Sequence, residues 1–170
     1  MNTVLITNLI KIRWIAIVGQ LITLFTIFFA LNFNIPLVEC LFVVLLSILI
    51  NFYSYIIQKV NSTLTDKKTF LFLLFDISQL VGLLFLTGGV FNPFVVLILA
   101  PIIISASYLS AFWTILLSLY SIVLILIINF NYIPLNWEQN FITPLIYNIG
   151  ILVALIITII FIAIYAYLFA

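Results

Sequence analysis

The chain has 170 residues, of which 68% are hydrophobic and 5% are charged, and its formal net charge at pH 7 is +1. Soluble domains carry charge on about a quarter of their residues, so this composition excludes a soluble globular domain and indicates an integral membrane protein. The apolar runs lack the alternation of barrel strands, and they therefore predict an all-α, polytopic membrane helix bundle.

Six apolar runs are each long enough, at about 17 to 25 residues, to cross a bilayer as a helix. They form one predicted domain over residues 1–170, with spans at 14–31, 37–57, 70–86, 93–109, 112–130 and 143–168. The basic residues all precede the first span or lie between the second and the third: Lys11, Arg13, Lys59, Lys67 and Lys68. The positive-inside rule therefore predicts that both termini face the cytoplasm, N-in and C-in.

The residue types that carry common catalytic and metal chemistry are scarce. The chain has no histidine, which removes the commonest general base and metal ligand. Its single cysteine, Cys40, allows no intramolecular disulfide and is expected to be a buried, inert thiol. We expect no catalytic residue, no metal site and no nucleic-acid partner in these residues.

Polar residues on the first and third predicted helices form two pairs. Arg13 and Gln20 are seven residues apart and share a helix face, and so do Asp76 and Gln79, which are three apart. An ionisable group inside a span usually faces the bundle and has a partner, which predicts an Arg13–Asp76 ion pair. The two glutamines would extend this pair into a polar seam. The alternative is that Asp76 reaches water or pairs with a lysine of the preceding loop.

The connector between the third and fourth spans reads TGGVFNPF, residues 87–94. Gly88 and Gly89 are typical of the position just past a helix end. Asn92 is a favourable N-cap, and Pro93 suits the first position of a helix. The stretch therefore predicts a helix end, a short crossover and a new helix start.

The same connector also has properties that suit a ligand. The free N–H groups at the start of the fourth helix could donate hydrogen bonds to a carbonyl oxygen. Phe91 and Phe94 would lie on either side of the molecule that holds this carbonyl oxygen. A flat, lipid-soluble molecule with ring carbonyls, such as a quinone, has the required chemistry. The residues alone leave open whether the stretch is only a turn or a turn that binds a ligand.

Pro101 lies inside the fourth predicted span. Its ring removes the hydrogen bond to the carbonyl of Leu97 and predicts a kink. Two interpretations stay open, a kink that serves packing and a hinge that passes on the occupancy of the connector.

The stretch GGVFNPF resembles the GGxxNPF heptapeptide of the RegB/PrrB/ActS family of redox-sensing histidine kinases. The segments RWIAIVGQL (13–21), FDISQL (75–80) and LAPIIISAS (99–107) are similar to that family's membrane segments, in the same order. The resemblance implies a membrane sensor domain that binds ubiquinone or a related quinone and signals through the sixth helix. The quinone-binding residues that it implies are Gly88, Gly89, Asn92, Pro93 and Phe94.

The resemblance also implies a cellular setting and partners. The family is multi-pass in the bacterial inner membrane, and it works as a two-component system with a cognate response regulator. Sensor histidine kinases generally act as homodimers. The kinase part is absent from this sequence, so the parent protein, a protein-histidine kinase, would be the enzyme.

Two other classes of membrane protein are alternatives to a sensor. A small transporter or channel component would need a polar path through the bilayer centre, where this sequence offers few polar residues. A lipid-modifying enzyme would need clustered acidic residues or histidines near an interface, and the sequence has none.

Overall fold

The computed structural model describes residues 6–30, 33–57 and 64–134, together with positions 152, 155, 156 and 159. Every regular element in this part of the chain is helical. The α-helices are α1 (Ile6–Phe25), α2 (Leu37–Ile57), α3 (Asp66–Leu86), α4 (Leu99–Tyr108) and α5 (Ala111–Phe130). A π-helical turn (Thr26–Ala30) continues α1, and two 3₁₀ segments (Gly89–Phe91 and Pro93–Ile98) connect α3 to α4.

Four of these helices are long and apolar enough to cross a membrane. They cover Leu9–Ala30, Leu37–Ile56, Asp66–Leu86 and Ala111–Phe130, and a shorter apolar helix covers Phe94–Tyr108. The all-helical membrane architecture is therefore confirmed for this part of the chain. The sixth predicted span, 143–168, lies outside the described residues except for the four isolated positions, and the count of six and the orientation stay predictions.

Two predicted helix starts are wrong. The first helix begins at Ile6 and the third at Asp66, eight and four residues before the predicted starts. The predicted spans began after the basic residues, but lysines in the first turns of a helix can extend their charged ends towards water. The third helix is consequently 21 residues long, and it is longer than the predicted span of residues 70–86.

The fourth span is divided between two kinds of helix. The six residues after Asn92 form a 3₁₀ helix, and the α-helix begins only at Leu99. Pro101 therefore lies in the first turn of α4. The N–H groups of a first turn have no carbonyl partner within the α-helix, so a proline there removes no α-helical hydrogen bond. A change of helix type at Leu99 accommodates this proline.

The α3 helix lies at the centre of the packing and contacts α2, α4 and α5. One face carries Leu73 and Ile77 into the main core, with apolar residues of α4 and α5 and with Leu155 and Ile159. The other side contributes Leu83 to a second core with residues of α1 and α2, including Cys40. Cys40 is fully buried, as the sequence predicts.

Candidate functional site

The connector TGGVFNPF is folded tightly against the end of α5. Gly88 and Gly89 have φ angles of 104° and 62°, in the left-handed region that favours glycine. A Cβ on Gly89 would lie 2.7 Å from Cγ of Tyr132. The Phe91 ring packs on the Tyr132 ring at a centroid distance of 5.7 Å. Gly89 is therefore required for its backbone conformation and for the close approach of Tyr132.

Asn92 joins the end of α3 to the start of the next helix. Its Oδ1 accepts a hydrogen bond from the backbone N–H of Phe94 at 2.9 Å, which confirms the predicted N-cap. Its Nδ2 donates to the carbonyl oxygen of Thr87 at 3.0 Å and to the hydroxyl of Thr87 at 2.8 Å. The Thr87 hydroxyl in turn donates to the carbonyl oxygen of Leu83 at 2.7 Å. Both N–H groups and the oxygen of the Asn92 amide are thus used within the chain.

The expectation of free N–H groups at the start of the fourth helix is wrong. Pro93 has no N–H, the N–H of Phe94 is bonded to Asn92 Oδ1, and the N–H of Val95 donates to the carbonyl oxygen of Asn92 at 2.9 Å. The short 3₁₀ ring and the Asn92 cap together satisfy the first turn. A ligand of this site would have to find its hydrogen-bond donors elsewhere.

The structure brings Arg13 and Asp76 together in a two-point contact. Arg13 Nη2 lies 2.9 Å from Asp76 Oδ1, and Nε donates to Oδ2 at 3.1 Å. Arg13 Nη2 also donates to the carbonyl oxygen of Phe72 at 2.8 Å, and the guanidinium lies 4.6 Å from the centre of the Phe72 ring. Planar, bidentate contact of this kind is specific to arginine. Asp76 therefore pairs with Arg13 rather than with the lysines at the start of α3.

Gln20 and Gln79 form a reciprocal amide pair one helical turn further along. Gln20 Nε2 donates to Gln79 Oε1 at 3.2 Å, and Gln79 Nε2 donates to Gln20 Oε1 at 3.0 Å. Together with Arg13 and Asp76 they form the polar seam between α1 and α3. The α1 helix packs closely on α2 and is farther from α3. The side chains of the seam therefore cross a gap between α1 and α3.

A cavity of about 380 Å³ lies along that gap, between α1, α3 and the fourth span. This size falls within the range of small-molecule sites, about 300 to 1,000 Å³. We call it the cleft, and along α3 it runs from Leu73 to Thr87, about 21 Å at 1.5 Å per residue. Its walls are mainly apolar. The predicted site residues that line it are Arg13, Gln20, Asp76, Gln79, Asn92, Phe94 and Pro101.

The five implied quinone contacts differ in their relation to the cleft. Asn92 and Phe94 line it, and the Phe94 side chain is 39% exposed there. Gly88 and Gly89 are buried and lie outside the lining, where their backbone conformation shapes the connector. Nothing is described of the Pro93 side chain. The role of all five residues in quinone binding stays a prediction.

Three residues of this region carry no prediction from the sequence. Thr87 accepts and donates hydrogen bonds beneath Asn92, and Tyr132 packs on Gly89. Gly19 lines the cleft and leaves open space where a side chain would stand. The spacing of Ala16, Gly19 and Thr23 places small residues on one face of α1 at intervals of three and four. That pattern is the signal from which the cleft wall could have been inferred.

Comparison with known proteins gives one informative relative. The chain is 34% identical over 161 residues to the sensor histidine kinase RegB of Cereibacter sphaeroides. The match covers 94% of this chain and 35% of that protein. No family model matches the chain, and no solved structure matches it. At this identity and coverage, the chain belongs to the RegB family of sensor histidine kinases, and it corresponds to a sensor part of such a protein.

Proposed function

We propose that this chain is the input domain of a RegB-like two-component redox sensor and that a quinone occupies the cleft. The observation that carries the proposal is the single cavity that has the GGVFNPF connector at one end and the polar seam at the other. The similarity to a sensor histidine kinase supports the sensor role. The ligand would be ubiquinone or a related quinone.

The chemistry of the cleft suits a molecule of that class. Its apolar walls would cover an aromatic ring and the first part of an isoprenoid tail, and the tail could continue into the lipid. Phe94 presents an aromatic side chain to the cavity, where it would pack on the ring. Asn92 would act through the conformation of the connector, because its own amide is already hydrogen-bonded to Thr87 and Phe94.

The position of α3 suggests how occupancy would reach the rest of the protein. One side of α3 lines the cleft, and another side packs in the main core together with Leu155 and Ile159 of the predicted sixth span. Occupancy would bias this packing between two states by the difference in ligand affinity for them. Pro101, in the cleft wall, is the proposed hinge. The sixth helix would pass the change to a kinase that acts as a homodimer and phosphorylates a response regulator.

Filling the cleft with protein atoms tests this proposal directly. Gly19 lines the cavity, and a Cβ at this position would meet no atom within 4 Å, so the larger side chain of Gly19→Leu has space to start into the cleft. We expect Gly19→Leu to weaken ubiquinone-1 binding by at least about tenfold, or 1.4 kcal/mol. The measurement is a calorimetric titration of the purified chain in nanodiscs.

Two smaller substitutions serve as controls for that titration. Gly19→Ala adds one methyl group at the same position, and Gly82→Ala adds one at the α2–α3 contact, where Val43 lies at 3.7 Å. Both should bind ubiquinone-1 nearly as the unmodified chain does. Unchanged affinity of Gly19→Leu, with the helical circular dichroism retained, would place the ligand outside the cleft.

A further inference from the structure

We propose that the paired amides of Gln20 and Gln79 bind a ring carbonyl of the ligand in the cleft, an inference that rests on the quinone function proposed above. The resemblance to the family places ligand contacts in the connector alone. The geometry points instead to a polar contact on α1 and α3, about 12 Å along α3 from Thr87.

The hydrogen-bonding capacity left on this amide pair matches a carbonyl oxygen. A glutamine amide has two N–H donors and one oxygen acceptor. Within the pair, each amide uses its oxygen and one N–H. Among the described residues, the second N–H of each side chain has no partner, and both side chains lie in the wall of a cavity whose other surfaces are mainly apolar. A donor that is shielded from water and has no partner is unfavourable, and a carbonyl acceptor would remove that cost.

Several other polar groups of the cleft already have partners within the described part of the chain. The amide of Asn92 and the N–H of Phe94 are bonded within the connector, and the Thr87 hydroxyl donates to the carbonyl of Leu83. Arg13 uses the donors of Nε and Nη2 on the Asp76 carboxylate and on the carbonyl of Phe72, and the guanidinium is fixed in this position. The hydroxyls of Thr23 and Ser47 also line the cleft, and the variants Thr23→Val and Ser47→Ala separate them from the glutamines by the same infrared measurement.

The amide pair is held in place before any ligand arrives. Gln79 is 8% exposed, and each glutamine fixes the other through two hydrogen bonds. A preorganised donor loses little side-chain freedom on binding, which favours affinity. Because the pair joins α1 to α3, a carbonyl bound to one of its amides would favour the arrangement in which the pair is intact. The ligand would then favour the arrangement in which α1 and α3 are close.

The test uses a variant that removes the donors without leaving a lone amide. Gln20→Leu/Gln79→Leu replaces both partners, so neither helix keeps an unpaired polar group. Ubiquinone-1 binding in nanodiscs should weaken by about tenfold, or 1.4 kcal/mol. The infrared carbonyl band of the bound quinone should move to higher frequency, towards its position in an apolar solvent. A role in packing alone would not move this band.

Two further variants complete the design. Ser78 is the neighbour of Gln79 in the chain, and its hydroxyl lies 2.8 Å from the hydroxyl of Tyr120 on α5. Ser78→Ala should leave both the affinity and the carbonyl band unchanged. Thr23→Val removes a cleft hydroxyl at nearly constant volume. A band that moves in Thr23→Val and stays in the double glutamine variant would overturn the assignment to the amides.

The failure of this inference is distinguishable from failure of the proposed function. If the unmodified chain binds no quinone, the proposed function is wrong and the inference is overturned with it. If the unmodified chain binds quinone and Gly19→Leu does not, the function stands. An unmoved carbonyl band and unchanged affinity in the double glutamine variant would then overturn the inference alone.

Discussion

Asn92 and Phe94 belong to the same short motif, yet the structure gives them different surroundings. The Asn92 side chain is 5% exposed and bonded at every polar atom to Thr87 and Phe94. The Phe94 ring is 39% exposed and lines the cleft. We therefore expect Asn92 to contribute mainly to stability and Phe94 to contribute mainly to ligand binding.

Alanine substitutions at these two positions should therefore separate stability from binding. Asn92→Ala removes an N-cap and two bonds to Thr87, and we expect it to lower the free energy of unfolding by about 1 to 2 kcal/mol. Phe94→Ala should leave unfolding nearly unchanged and weaken ubiquinone-1 binding several-fold. Thermal unfolding in detergent and titration in nanodiscs measure the two effects. Equal loss of stability in both variants would contradict this division.

At the scale of helices, the Arg13–Asp76 pair joins α1 to α3. The Arg13 side chain is 9% exposed and that of Asp76 is 23% exposed, so removing one partner leaves the other poorly solvated. A charge in a span is costly unless it is paired. Asp76 lies ten residues into α3, about 15 Å from its start, which is too deep for easy contact with bulk water.

Single and double substitutions should show that cost. We expect Arg13→Met alone to destabilise the chain by about 3 kcal/mol, the lower end of the range for breaking a buried pair. Arg13→Met/Asp76→Leu should regain most of that loss, because neither charge remains. Denaturation followed by circular dichroism measures both. The charge-swapped Arg13→Asp/Asp76→Arg variant should be more stable than either of its single substitutions.

That charge swap should not restore full stability. Arg13 also donates to the carbonyl oxygen of Phe72 and packs on its ring, and an arginine at position 76 would lose both contacts.

A double variant Arg13→Met/Asp76→Leu as unstable as the single Arg13→Met variant would show that the ion pair is not the reason for the loss.

For the molecule as a whole, orientation in the membrane is the largest open prediction. Lys67 lies at the start of α3, and Asn131 lies just past α5, where the N–H of Ile133 bonds to the carbonyl of Phe85 near the end of α3. The two positions are thus separated by most of the length of α3, about 30 Å, which matches the thickness of the hydrocarbon core. They should lie on opposite sides of the bilayer.

Labelling of introduced cysteines tests the orientation. Lys67 and Asn131 are exposed, whereas Cys40 is buried and can be replaced by serine. In cells with the inner membrane intact, an impermeant maleimide should label Asn131→Cys, and it should label Lys67→Cys only after lysis. This is the result that the positive-inside rule predicts. The reverse pattern would place the N-terminus outside the cytoplasm.

The sequence alone determined the protein class, the helical architecture and the local chemistry of the connector. It also identified Arg13 and Asp76 as facing partners. These properties depend on composition, on helical spacing and on residues within a few positions of one another, as with Asn92 and Phe94. Asp76 is the one aspartate inside a predicted span, and a charge in that position usually has a partner.

Only the tertiary structure decided that the connector and the polar seam open into one cleft. Gln20 and Gln79 are 59 residues apart in the chain, and the approach of Tyr132 to Gly89 depends on how α5 ends. The free N–H groups expected at the fourth helix are taken up by Asn92, because a 3₁₀ turn, rather than an α-turn, follows it. The cleft and the approach of Tyr132 depend on the packing of helices that are distant in sequence, and no local pattern of residues specifies that packing.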